Sequence, residues 1–166
     1  MSKALLTRLK NGLSETTLAY VAGVIEGDGT ISLSGLADAT VAVTNGNLRL
    51  LEWLERSIGG WVAEKSSPSQ LGRSPQFQWK LRASDAARFC RLILPYLVGK
   101  KRQAELVVDG LDLKRQFRGR KPALIRRRLT EIGEECRWWN RQGWRADNTE
   151  EVPEHDSVPA QMELVK

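Results

Sequence analysis

The chain has 166 residues, a net charge of +6 at pH 7 and a pI of about 9.6, which favour one ordinary domain with a polyanionic partner. Its single histidine, His155, argues against a histidine-based nuclease, a zinc site and a serine–histidine hydrolase, and no Gly-x-x-x-x-Gly-Lys phosphate-binding loop occurs. The two cysteines are isolated and no signal peptide or long apolar run is evident, so we expect no membrane association and a reducing compartment, either the cytoplasm or an organelle interior.

The first predicted element is a helix that begins after Ser14, a favourable N-cap residue. Leu13 and Leu18 stand at the two positions of a hydrophobic staple around this cap. We expect the helix to end near Gly27 in a left-handed conformation, and a strand to open at Thr30.

Two features of this helix are unusual for a surface helix. Small residues recur at three- and four-residue spacing, so that another backbone can approach closely. They are Ala19, Ala22, Gly23 and Gly27. In addition, Glu26 and Asp28 place two carboxylates at the C-terminal end, where the helix dipole disfavours negative charge. A divalent cation held by hard oxygen ligands would offset that cost, although a simple helix-to-strand turn is the alternative.

The rest of the chain alternates predicted strands and helices. Period-two patterns predict strands at 30–34, 40–44, 61–67 and 76–82, with a loop at 66–74 before the last of them. Helical spacing predicts helices at 47–58, from Ser84 to Pro95, from about 100 to a break at 119–122, and at 122–142. In the first hairpin the core-facing residues are predicted to be Ile31, Leu33, Val41 and Val43.

Charge is distributed unevenly along the chain. Residues 114–145 hold 11 Lys/Arg and 3 Asp/Glu, a net charge of +8, whereas residues 146–166 hold 1 and 6, a net charge of −5. The second segment also lacks an apolar period. We therefore expect residues 1–145 to form a single domain and residues 146–166 to be a disordered acidic tail.

The segment 21–29, Val-Ala-Gly-Val-Ile-Glu-Gly-Asp-Gly, resembles the signature of the LAGLIDADG homing endonucleases, with changes that are apolar for apolar or Glu for Asp. The predicted order of elements over residues 14–143 also matches the αββαββα core of that family. The resemblance implies an α+β fold in which a curved antiparallel sheet binds DNA and extra C-terminal helices follow. It implies a site-specific, Mg²⁺-dependent endonuclease that cuts both strands of DNA and takes part in intron homing. Mn²⁺ or Ca²⁺ could occupy the same metal site, and no small-molecule cofactor is expected.

The resemblance also assigns a metal site and an assembly. In the family the carboxylate at the eighth motif position binds the catalytic metals, which here is Asp28, and the backbone carbonyl of Gly27 approaches a metal. Because this chain has one copy of the motif, we expect a homodimer whose interface contains Ala19, Ala22 and Gly23. A symmetric dimer implies a palindromic or nearly palindromic DNA target.

Three further positions match the periphery of the family's active site. They are Asn45 at the end of the second strand, Arg49 at the start of the next helix, and Lys100 after the turn Pro95-Tyr96-Leu97. Each has a simpler interpretation. Asn45 suits a turn, Arg49 suits a solvated helix surface, and the lysine position could shift by one because Lys101 and Arg102 follow.

Polar side chains on the outward face of the predicted sheet are candidate DNA contacts, because Gln can pair with adenine and Arg or Lys with guanine or phosphates. The set is Ser32, Ser34, Thr40, Thr44, Lys65, Arg73, Gln76, Gln78, Lys80 and Arg82. A solvated edge strand at 76–82 is the alternative. No Lys or Arg lies between Gly29 and Leu48, so we hypothesise that the basic segment 114–145 binds the flanking DNA backbone instead. We also hypothesise that the negative charge of the acidic tail limits non-specific binding.

Two other functions fit parts of the sequence. A non-cleaving nucleic-acid binder on the same fold, such as an RNA-splicing maturase or a transcription regulator, would share the motif and the sheet. A different carboxylate–lysine nuclease would use Asp109, Asp112 and Lys114, but these residues lie on one predicted helix with two residues between the carboxylates, so we interpret that pattern as chance.

Overall fold

The computed structural model describes residues 13–65, 75–117, 119 and 121–142. In chain order the elements are α1 (Glu15–Asp28), β1 (Gly29–Ser34), β2 (Asp38–Asn45), α2 (Leu48–Ile58), β3 (Trp61–Lys65), β4 (Gln76–Arg82), α3 (Ala83–Ile93), a 3-10 turn (Leu94–Tyr96), α4 (Lys101–Gln116) and α5 (Ala123–Gln142). This order confirms the predicted α+β class, an αββαββα core followed by further helices. Within the described ranges, no helix is long and apolar enough to cross a membrane.

The helix α1 begins as predicted but ends later. Ser14 Oγ accepts a hydrogen bond from the backbone N–H of Thr17 at 3.1 Å, which caps the N-terminus. Gly27 lies within the helix, and the chain leaves it at Gly29 in an extended conformation, so the predicted left-handed stop at Gly27 is wrong. A Cβ atom at Gly29 would lie 2.7 Å from the backbone of Ile25, so the turn into β1 needs a glycine there.

The four strands form one antiparallel sheet in the order β1-β2-β4-β3. Side chains alternate between its two faces, and one face belongs to the core that the helices share. The core-facing residues are Ile31, Leu33, Val41, Val43, Trp79 and Leu81, each at most 2% exposed, which confirms the predicted face. Because β4 lies between β2 and β3, the alternative of a solvated edge strand at 76–82 is wrong.

A two-glycine turn fixes where the edge strand β3 begins. Gly59 and Gly60 both have positive φ angles, of 104° and 86°, as expected for a glycine stop after α2. The indole N–H of Trp79 donates to the carbonyl oxygen of Gly59 at 2.7 Å. A Cβ atom at Gly60 would lie 2.3 Å from the carbonyl oxygen of Lys80, so only glycine allows the turn to sit this close to β4.

The C-terminal helix α5 packs against α4 and along β1, on the core side of the sheet. Asn140 Nδ2 donates to the carbonyl oxygen of Ile31 at 2.8 Å, so the helix covers the outer edge of β1. Leu124, in the first turn of this helix, is 55% exposed and lies outside the packed surface. The tail 146–166, the loop 66–74 and Arg73 within it lie outside the described residues.

Candidate functional site

Asp28 is the last residue of α1, and its carboxylate is exposed at the helix terminus. Asn45 Nδ2 donates to Asp28 Oδ2 at 2.7 Å, while Asn45 Oδ1 accepts from the backbone N–H of Asn47 at 2.7 Å. One amide therefore ties the end of α1 to the start of α2 and holds the aspartate by one oxygen. Asn45 is a turn residue and a neighbour of Asp28 at the same time, so its two sequence interpretations are compatible.

Glu26, the other carboxylate at this helix end, is engaged within the chain. Its Oε1 accepts from the backbone N–H groups of Val98 and Lys100, at 2.8 and 3.1 Å. Glu26 thus fixes the loop that follows the 3-10 turn and brings Lys100 beside the helix. Of the two carboxylates singled out in the sequence, only Asp28 retains an exposed carboxylate for a ligand.

Lys100 supplies the positive charge that the helix terminus requires. Its Nζ donates to the carbonyl oxygens of Ile25 and Glu26, at 2.8 and 2.7 Å. Partial burial lowers the pKa of Lys100, whereas the charges of Glu26 and Asp28 act in the opposite direction. A cation at a helix C-terminus also interacts favourably with the dipole. The ammonium therefore lies at the helix terminus that also carries the exposed carboxylate of Asp28.

The two basic residues after Lys100 do not share its position. Arg102 forms ion pairs with Glu135 and Glu105, and Lys101 is exposed at the start of α4. Of these three residues, Lys100 is the one whose side chain contacts the end of α1. Arg49 lies at the second residue of α2, where its side chain is exposed and makes no hydrogen bond or ion pair with another described residue.

The small-residue stripe of α1 is only partly on the surface. Ala19, Gly23 and Gly27 are exposed at four-residue spacing, and a Cβ atom at either glycine would meet nothing within 4 Å. Ala22 is fully buried in the core of its own chain, so it cannot contribute to a surface for a partner, and its assignment to the interface is wrong. The exposed stripe ends at the same helix terminus as Asp28.

The sheet face opposite the core collects the polar residues predicted from the sequence. The strand register places Ser32 opposite Thr40, Thr40 opposite Arg82, and Thr44 opposite Gln78. Ser34, Lys65, Gln76 and Lys80 occupy the same alternation. Gln78 Nε2 donates to Thr44 Oγ1 at 2.9 Å, which orients one amide on this face. Asn45 follows Thr44, so the Gln78 end of the face is nearest to Asp28.

No family model matches the sequence, and no curated protein matches it. Among solved structures, the chain is similar to the homing endonuclease I-CvuI in complex with uncleaved DNA in the presence of 2 mM Mg, with a TM-score of 0.58 and 15% identity over 75% of this chain and 82% of that chain. This chain has the fold of the LAGLIDADG homing endonucleases. A second I-CvuI structure, in complex with its target in the presence of 2 mM Ca, has a TM-score of 0.56 and 17% identity over 80% and 82% of the two chains.

Within this homing-endonuclease fold, the rival pattern on α4 does not form a site. Asp112 pairs with Arg91 on α3, whereas Lys114 Nζ donates to the carbonyl oxygen of Ala37 and to Asp38 at the tip of the first hairpin, at 3.3 and 3.2 Å. Asp109 is exposed on α4, and partial desolvation raises the pKa of its carboxyl. Asp112 and Lys114 therefore serve separate structural contacts.

Part of the basic excess of segment 114–145 is neutralised within the helical layer of the homing-endonuclease fold. Arg127 and Arg128 both pair with Glu131, and Arg137 pairs with Glu134. Their helix α5 covers the core side of the sheet, away from the polar face. The side of the sheet on which α5 lies could not be predicted from the sequence, because the number of charges in a segment does not show which face of a sheet its helix covers.

Trp61 is a member of the polar face that sequence analysis missed. It is 38% exposed, lies opposite Lys80, and has the guanidinium carbon of Arg82 at 5.4 Å from its ring centroid. The alternation of side chains along β3 places Trp61 on the same face as Lys65, which could have identified it, but only polar residues were considered as candidate DNA contacts.

Proposed function

We propose that this chain is a site-specific, divalent-metal-dependent endonuclease of double-stranded DNA that acts as a homodimer on a palindromic or nearly palindromic site. The observation that carries the proposal is the convergence of Asp28, Asn45 and Lys100 at the end of a helix whose exposed stripe is nearly bare of side chains. The polar sheet face begins beside this cluster.

The donor set fits a hard divalent cation. Asp28 offers an exposed carboxylate, and the backbone carbonyl of Gly27 would be the second oxygen ligand from the same chain. The described residues contain no group of three or more His, Cys, Asp or Glu side chains that could hold a metal, so one chain supplies only part of a ligand shell. A second copy of Asp28 and the phosphate oxygens of DNA would supply further ligands.

The residues around Asp28 have separable roles in the proposed reaction. Asn45 would hold the carboxylate in one orientation, and Lys100 would keep positive charge beside the phosphodiester while capping the helix. Arg49 would supply a second cation to the phosphate from the start of α2. A bound Mg²⁺ would lower the pKa of a coordinated water and stabilise charge on the reacting phosphate.

Dimerisation through α1 is the assembly that brings two Asp28 residues together, and Gly23→Leu tests it. We expect the variant to be monomeric, because a leucine on the close-approach stripe would hold two α1 helices apart. A Cβ atom at Gly23 meets nothing within the chain, so the monomer should fold and be as stable as the wild type or more so. Sedimentation velocity of wild type, Gly23→Leu and the control Arg126→Leu, an exposed position on α5, gives the answer. An unchanged dimer in Gly23→Leu would rule out this interface.

The distribution of phosphate contacts is tested by the salt dependence of binding. Replacing Lys65 and Lys80 by Ala should lower the slope of log affinity against log salt by roughly 3 to 4, since each contact contributes about 0.9 and a dimer has two of each. Arg127→Ala with Arg128→Ala removes the same charge from α5, where both residues pair with Glu131, and should leave the slope nearly unchanged. Equal flattening in the second variant would instead support the hypothesis that segment 114–145 grips the DNA backbone.

The whole proposal is tested by incubating the purified chain with a pool of randomised palindromic duplexes in Mg²⁺ or in EDTA, followed by sequencing of the ends. We expect discrete double-strand breaks within one palindromic sequence in Mg²⁺ only. Specific binding without any cut would favour a non-cleaving binder of duplex DNA. Preference for RNA over duplex DNA would favour an RNA-splicing maturase.

A further inference from the structure

The outer face of β3 carries an aromatic residue that the core does not use. Trp61 lies directly opposite Lys80 on β4, and Arg82 is the next residue of β4 on the same face. The guanidinium carbon of Arg82 lies 5.4 Å from the Trp61 ring centroid, within the range of a cation–π contact. An indole that is 38% exposed beside two cations is positioned for a ligand rather than for packing.

The turn before Trp61 determines where the backbone of this residue lies. The glycine turn at 59–60 is anchored by the indole N–H of Trp79, and Gly60 packs against the backbone of Lys80 without room for a Cβ atom. These contacts fix the first residue of β3 against β4. The backbone of Trp61 is therefore held against β4, although it lies on an edge strand.

We propose that Trp61 is a positioning residue that holds the Arg82 guanidinium for a two-hydrogen-bond contact with a guanine in each half of the DNA target. This inference rests on the proposed function. Stacking uses the flat face of the guanidinium and leaves the N–H groups at its edge free to reach the N7 and O6 atoms of guanine. Among the described residues no carboxylate pairs with Arg82, so its donors are not already occupied by an ion pair.

The strand register also predicts where along the target this contact lies. Arg82 is opposite Thr40, five residues along β2 from Asn45, or roughly 17 Å from the Asp28 end at about 3.4 Å per residue. Gln78 is opposite Thr44, next to Asn45. The guanine read by Arg82 should therefore lie farther from the centre of the palindrome than the base read by Gln78, by up to about four base pairs at 3.4 Å per pair.

The experiment uses the randomised palindromic duplex pool, selected by binding in Ca²⁺, and sequencing gives the base preference at each symmetric position. The proteins compared are wild type, Arg82→Ala, Trp61→Leu, Trp61→Phe, Trp61→Leu with Arg82→Ala, and Gln78→Ala. Arg82→Ala should reduce a guanine preference at one symmetric position by roughly 5- to 150-fold. Trp61→Leu should reduce preference at that same position, whereas Trp61→Phe should keep most of it because a ring remains.

Two results separate positioning from other roles. The double variant should match Arg82→Ala alone, because without the guanidinium the ring has nothing to position. Gln78→Ala should change a different, more central position and leave the outer guanine preference intact. Thermal unfolding of each variant verifies that the proteins tested are folded.

The inference is overturned if Trp61→Leu changes all positions equally, if it changes a position that Arg82→Ala does not, or if the two effects add in full. In each of these cases the wild-type protein still selects a DNA sequence, so the proposed function survives while the role of Trp61 is rejected. If the wild type itself selects no sequence, both the proposed function and this inference fail.

Discussion

Asp28→Asn is expected to lower Mg²⁺-dependent cleavage of duplex DNA by roughly 10³-fold or more while leaving the sequence preference of binding intact. Loss of a metal-holding carboxylate removes several kcal/mol of charge stabilisation from the reaction, which corresponds to a loss of that order. The substituted amide oxygen can still accept the hydrogen bond from Asn45. Because the negative charge at this helix terminus is unfavourable to the dipole, the variant should unfold at the same temperature or above.

Asp38→Asn is the matched control for this substitution. Asp38 is also exposed, but it lies at the tip of the first hairpin and pairs with Lys114, far along the sheet from Asn45. The control should cut at about the wild-type rate. Cleavage by Asp28→Asn at the wild-type rate in Mg²⁺ would show that the metal is held elsewhere.

Lys100→Met should affect both the reaction and the fold. The ammonium donates to two carbonyl oxygens at the end of α1, and its removal leaves both without that donor, at a cost of about 1–3 kcal/mol. Cleavage should fall by roughly 10²-fold in addition, because the positive charge beside the proposed phosphate site is lost. The midpoint of urea unfolding and the single-turnover cleavage rate measure the two effects separately.

Lys101→Met makes the same substitution one residue later, where the side chain is exposed at the start of α4. We expect the urea midpoint to stay at the wild-type value and the cleavage rate to change by less than twofold. Equal losses in the two lysine variants would mean that the overall charge of this segment matters and that the position of Lys100 does not.

Local patterns in the sequence were sufficient for most of the fold. Ser14 caps α1 as predicted, and the alternation of strand 76–82 assigned both faces of β4 correctly. These features depend on residues a few positions apart, so a single sequence contains them. The proximity of Asp28 and Asn45, which are 17 residues apart, came from the family resemblance and not from such patterns.

The errors concern a partner that is distant in the sequence and details of backbone path and burial that periodicity does not show. Glu26 was a candidate for metal chemistry until the loop 72 residues later was seen to donate two backbone N–H groups to it. Ala22 shares the spacing of the exposed small residues, yet it faces the core, because helical period alone does not define how wide the buried side of α1 is. Gly29 was not recognised as the essential glycine because its close approach to Ile25 is a three-dimensional contact.

In the proposed function, Asp28 of the homodimer holds the metal ion on which cleavage of a specific duplex depends. The most direct measurement places wild type and Asp28→Asn side by side on the randomised palindromic duplex pool in Mg²⁺, Ca²⁺ and EDTA, with both binding and cut ends recorded. We predict that the two proteins select the same sequence in Ca²⁺, and that only the wild type in Mg²⁺ yields double-strand ends at one symmetric position within it. Ends produced equally by both proteins, or by the wild type in EDTA, would contradict the account.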